Sequence, residues 1–112
     1  MKIKQRQRGD VTILDLAGKA TIGAVELALR NAVLDALNGG ARFILLNLER
    51  VTTMDSSGVG ELVSASATVA DRGGMLKLAV VPPRIQDVMR ANQVLPLFEV
   101  FDDEASALAS FR

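Results

Sequence analysis

Residues Phe43-Ile-Leu-Leu-Asn-Leu48 form a nearly unbroken apolar run, the pattern of a central strand covered on both faces. An amphipathic helical pattern begins a few residues later, so the chain must turn a strand-to-helix corner, and it does so through Met54-Asp-Ser-Ser-Gly-Val-Gly60. Unpaired backbone N–H groups and the positive end of the helix dipole at such a corner favour an anion. Gly58 and Gly60 fall in the first turn, where glycine costs about 1 kcal/mol relative to alanine. That cost points to a close approach to the backbone or to unusual dihedrals.

The rest of the chain alternates around this corner. Residues 2–7 and Val11–Ala17 predict a hairpin through Gly9-Asp10, with Gly18 ending the second strand. Ile22, Val25, Leu29, Ala32, Val33, Ala36 and Leu37 recur at helical spacing up to Gly39-Gly40. The next helix is expected to start at Ser56 or Ser57, to bury Val59, Leu62, Val63, Ser66, Val69 and Ala70, and to stop at Gly73-Gly74. Met75–Val81 reads as a strand ended by Pro82-Pro83, which suit the first turn of a third helix carrying Ile85, Val88 and Met89. A short strand at Glu99–Phe101 and a last helix opened by Asp102, Asp103 and Glu104 complete a single α/β domain, residues 1–112, with a mixed sheet and about four helices.

Composition narrows the chemistry. The absence of cysteine removes disulfides and thiolates, and the absence of histidine removes the Ser–His–Asp triad, the usual zinc sites and the commonest general base. Thirteen basic and 13 acidic residues balance, with no basic surplus for nucleic acid. Lys2, Lys4, Arg6 and Arg8 alternate as on a protected edge strand. No apolar run nears the ~18 residues that cross a membrane, and no signal-type apolar core opens the chain, so a cytoplasmic location is expected. No metal or cofactor is expected: the Asp102–Glu104 cluster lacks the spaced acids of a calcium loop.

At the corner, Asp55, Ser56 and Ser57 are all good N-cap residues, and capping explains one of them. The corner is neither a phosphate-binding loop, which needs Gly-Lys, nor a nucleophile elbow, which needs glycine two residues before the serine. Beyond it, Ser64, Ala65, Ala67 and Thr68 are short, and no charge falls between Glu61 and Asp71. Exposed helix faces normally carry lysine and glutamate, so this one reads either as packed within the domain or as a flat docking face beside Ser56. Asn47 reads as a buried amide holding a neighbouring loop, Asp15 as a solvent-facing strand residue, and Met54, Met75 and Met89 as core fillers.

With these residues in view, the chain resembles the STAS-domain family, and within it the bacterial anti-sigma-factor antagonists. The resemblance rests on Leu16-Ala-Gly18, Leu46-Asn-Leu48, Met54-Asp-Ser-Ser-Gly-Val-Gly60 and Gly73-Gly74, nearly the whole chain. It implies a STAS-like sandwich whose mixed sheet opens with an antiparallel hairpin. It also implies a non-enzymatic switch with Ser56 as phosphoacceptor, supported by Asp55, Ser57, Gly58 and Gly60. The unmodified protein would bind an anti-sigma factor that is also a serine kinase, through Thr21, Glu61, Ser64, Ala65 and Thr68. Phosphorylation by that kinase with ATP would break the complex, and a metal-dependent, PP2C-type phosphatase would reset it. The family often has aspartate at the end of a Gly-x-x-Asp element where Gly18-Lys-Ala-Thr21 has threonine. A monomer is expected. The alternatives are a non-phosphorylated STAS subunit bound to a transport ATPase or another partner, and a nucleotide-binding module using the corner as an anion site.

Overall fold

The computed structural model describes residues 1–111, apart from the Glu26 side chain; Arg112, within the expected domain span, lies outside the described residues. Five strands form one sheet in sequential order: β1 (Lys2–Arg8), β2 (Val11–Ala20), β3 (Phe43–Met54), β4 (Met75–Ala79) and β5 (Val100–Phe101). The β1–β2 hairpin is antiparallel and every later pairing is parallel. Strand alternation divides the core. Leu14 and Leu16 of β2, Ile44, Leu46 and Leu48 of β3, and Leu78 of β4 pack under α1 (Glu26–Asn38), α2 (Ser56–Asp71) and α3 (Pro83–Ala91). Val11, Ile13, Leu45 and Ala79 point the other way, onto Ala107 and Phe111 at the end of the chain, where α4 (Glu104–Ala109) lies.

Several boundaries depart from the sequence expectation. Gly18 does not end β2: it sits at φ +100°, and the β2–β3 register slips on either side of it. That irregularity lets β2 continue, so that Lys19 pairs with Thr53 and Ala20 with Met54. The extra length of β2 and β3 carries the end of the hairpin to the corner. Val80 ends β4 early with φ 54°, a left-handed conformation that a β-branched residue rarely adopts. Before α1, the carbonyl of Thr21 accepts from the N–H groups of Ala24 and Val25, at 3.0 and 3.1 Å. Ile22, expected on the buried face of α1, lies in this turn instead and is 74% exposed. Met75, expected in the core, is 43% exposed.

Charged side chains tie α4 to its own face of the sheet. Arg6 bridges Asp15 on β2 and Glu104 at the start of α4. Asp15 is therefore paired rather than simply solvated. Asn47 donates to Glu104 and accepts from the Glu49 N–H, so this strand amide holds the α4 end. The hydrogen bonds to Asp15 first and Glu104 second make the Arg6 guanidinium hold its proton more tightly than usual, and the bond from Arg6 holds Glu104 below the usual carboxylate range. Lys77 on β4 is buried, donates to the Ser110 carbonyl at 2.9 Å and lies 4.8 Å from the Phe111 ring centroid. Sequence alternation gave no sign of this cation, because its partners come from the far end of the chain.

Candidate functional site

The corner is assembled where the prolonged β2 and β3 end side by side. Asp55 is the N-cap of α2, and its Oδ1 accepts from the N–H groups of Ser57 at 3.0 Å and Gly58 at 3.1 Å. Capping therefore belongs to Asp55, which frees both serine hydroxyls from that work. The other carboxylate oxygen accepts from the Ile22 N–H at 3.0 Å, and that bond is the main reason the Asp55 carboxyl titrates below its ordinary range. One side chain thus joins the first turn of α2 to the β2–α1 turn.

Ser56 occupies the first helical position, is exposed, and carries no side-chain hydrogen bond among the described residues. Ser57 is half-buried beside it. The two glycines divide. A Cβ on Gly58 would lie 2.8 Å from Met54 Cγ and 3.1 Å from the Ala20 carbonyl carbon, closer still to that carbonyl's oxygen. This glycine exists so that α2 can start against the end of β2. Gly60 is exposed, and a Cβ there would meet nothing within 4 Å. Neither glycine has a positive φ, so unusual dihedrals do not explain the pair.

The anion site expected at this helix end is already taken. The Ser57 and Gly58 N–H groups, the ones a bound phosphate would use, are satisfied by the Asp55 carboxylate. A free anion would have to displace a charge of its own sign.

The expected docking residues surround the corner unevenly. Thr21 is half-buried one residue before the Asp55-bound Ile22. Glu61 is paired with Arg30 of α1 at 3.4 Å, and Ser64 is exposed. Together with Thr68, Val33 and Leu34 they line a shallow cleft of about 120 Å³ between α1 and α2. Ala65, expected on the solvent side, is 6% exposed and packs in the core beneath that cleft, while Ala70, expected inside, is exposed. The reason is that α2 packs on α1 as well as on the sheet. Its buried positions, 58, 59, 62, 65 and 69, are rotated toward α1, and the small Ala65 admits that helix. Sequence reasoning missed Leu27 on the first turn of α1, which is 67% exposed; an apolar residue one step off the helical stripe was the available signal.

No helix among the described residues is long and apolar enough to cross a membrane. The STAS domain family model matches residues 2–107. Among solved structures, an anti-sigma-factor antagonist (STAS) domain protein from Planctomyces limnophilus superposes with a TM-score of 0.82 at 21% identity, covering 97% of each chain. The Bacillus cell fate determinant SpoIIAA in its phosphorylated form gives 0.73 at 22% identity, covering 99% of this chain and 100% of its own. A sulfate transporter family protein from Wolinella succinogenes gives 0.79 at 24% identity, covering 92% of this chain and 85% of its own. At these identities the likeness carries the fold: the hairpin-opened five-stranded sheet and four helices are the STAS architecture. By that fold and by the match over nearly its whole length, this chain belongs to the STAS-domain family.

Proposed function

We propose that the chain is an anti-sigma-factor antagonist controlled by phosphorylation of Ser56. The observation that carries this reading is an exposed hydroxyl at the first position of α2, without a hydrogen bond among the described residues, on a corner whose capping is done by its neighbour Asp55. A serine needed only as a cap would accept from the N–H groups that Asp55 already holds. The partner, an anti-sigma factor with serine kinase activity, supplies ATP and the base, so a chain without histidine is no obstacle. The γ-phosphoryl group passes to Ser56 Oγ as its proton leaves, and ADP is released. A PP2C-type phosphatase removes the phosphate and resets the cycle.

The added group brings a charge of about −1.5 to −2. Helix N–H groups offset it little, because Asp55 holds those of Ser57 and Gly58. The phosphate instead stands beside a carboxylate, on a surface that α2 leaves uncharged from Ser64 to Ala70. Burying that charge in a protein interface costs several kcal/mol, so modification expels the partner without refolding the domain.

Incubation with the cognate kinase and ATP is expected to add one phosphate by intact mass, and Ser56→Ala to abolish it. A phosphate that persists in Ser56→Ala would end this assignment. A second reading, a non-phosphorylated STAS module that holds a transport partner, is favoured by the likeness to the sulfate transporter family protein. It requires partner binding indifferent to Ser56→Asp.

A further inference from the structure

We infer that Ile22 and Leu27 form the apolar anchor by which the kinase partner recognises this chain; the inference rests on the Ser56 reading above. Ile22 is 74% exposed and Leu27 67%, two of the four large apolar side chains so exposed among the described residues. Isolated exposed apolar residues are ordinary. The placement of these two is not. Asp55 Oδ2 accepts the Ile22 N–H at 3.0 Å, so Ile22 is held by the residue that immediately precedes Ser56. An active site that closes on the Ser56 hydroxyl must cover it.

Leu27 reaches the same side by helical spacing. It lies three residues before Arg30, and Arg30 crosses to Glu61 in the second turn of α2, so Leu27 sits one turn nearer the corner along that face. Among the described residues beside the pair on α2, side chains are small or already paired. Gly60 has no side chain, Ser64 is short, and the Glu61 charge is engaged by Arg30. Two exposed apolar side chains beside the acceptor offer affinity through apolar burial against an apolar recess on the partner. The same arrangement explains why a phosphate is an effective switch: it places a charge at the rim of a patch that binds by shedding water.

The test is steady-state phosphorylation of the full chain by the serine kinase that labels Ser56, comparing Ile22→Ser, Leu27→Ser, the double variant and Leu97→Ser. Leu97 is 66% exposed but lies on the 3-10 turn after α3, and so controls for loss of any surface leucine. The double variant is expected to raise KM about tenfold or more, with kcat within about twofold and the thermal midpoint unchanged. Leu97→Ser should leave all three as they were. A double variant whose KM matches that of Leu97→Ser would overturn the anchor while leaving Ser56 phosphorylation intact. So would a loss confined to kcat, and so would a chain dimer dissolved by the double variant at unchanged KM, which would give the patch to a second copy. No label on Ser56 in the unaltered chain removes both readings.

Discussion

Two glycines two residues apart should respond to the same substitution with opposite signs. In Gly58→Ala the new methyl would stand 2.8 Å from Met54 Cγ and 3.1 Å from the Ala20 carbonyl carbon. The methionine can swing away, but the Ala20 carbonyl cannot, because its oxygen accepts the Asp55 N–H and its strand is paired to Met54. Relief therefore requires the first turn of α2 to lift from β2. Overpacking against backbone belongs at the upper end of the usual range, about 3 kcal/mol. Alanine returns about 1 kcal/mol of helix propensity, leaving a net loss of about 2 kcal/mol. In Gly60→Ala nothing lies within reach of the methyl, so only the propensity gain of about 1 kcal/mol remains. For a domain of this size each kcal/mol moves the thermal midpoint by about 4 °C. Gly58→Ala should thus melt about 8 °C lower and Gly60→Ala about 4 °C higher, by calorimetry or by far-UV dichroism. Urea melts should give the same order at unchanged slope. Shifts of the same sign, or a Gly58→Ala protein as stable as the parent, would refute the claim that close packing on β2 demands Gly58.

Lys77→Ala leaves the Ser110 carbonyl without its cation and takes a charge from between Phe101 and Phe111. A loss of about 2–3 kcal/mol is expected in urea melts, with faster amide exchange in α4; a change under about 0.5 kcal/mol would mean that Lys77 does not hold α4 down. Acid stability follows from two carboxyls that bind protons more weakly folded than unfolded, Glu104 beside Arg6 and Asp55 under the Ile22 N–H. Their contribution is whole above their ordinary values of 4.5 and 3.8 and drains away as pH falls through the depressed folded values. The thermal midpoint should therefore drop on acidification below about pH 4.5, and Glu104→Gln should flatten the part due to that residue; parallel curves would exclude it.

Periodicity carried most of the architecture. The apolar run at Phe43–Leu48, the helical stripes, the glycine and proline stops and the acidic opening of the last helix place the five strands and four α-helices, though not the 3-10 turn at Leu95–Leu97, because those signals are local. What the pattern could not carry is set by contacts between distant segments. Gly18 looks like a stop, yet the pairing of Lys19 and Ala20 with the end of β3 pulls the strand through it. Ile22 fits the α1 stripe by spacing, yet the Thr21 turn and the Asp55 bond hold it outside. Ala65 looked like a solvent residue because a small side chain reads alike on a surface and between two helices; the approach of α1 decides it. At the corner the residue types were readable, but not which of three candidate caps does the capping.

That last assignment changes what Ser56 means. When Asp55 takes Ser57, Gly58 and Ile22 on its two oxygens, one carboxylate meets the electrostatic and geometric needs of the corner. Gly58 meets the packing need. Among the described residues neither serine hydroxyl is used by the fold, but Ser56 is the exposed one of the two, and Gly60 is the member whose space the fold leaves empty. A residue required by the fold and one left free by it are separated by a single peptide bond. The fold therefore holds the free hydroxyl in a fixed place without engaging it, which is what an external active site requires of an acceptor. The same logic limits the damage of modification: a phosphate on Ser56 perturbs no bond on which α2 depends so long as Asp55 keeps its three donors. On the reading proposed above, the switch then acts at the interface alone, on the apolar surface around Ile22.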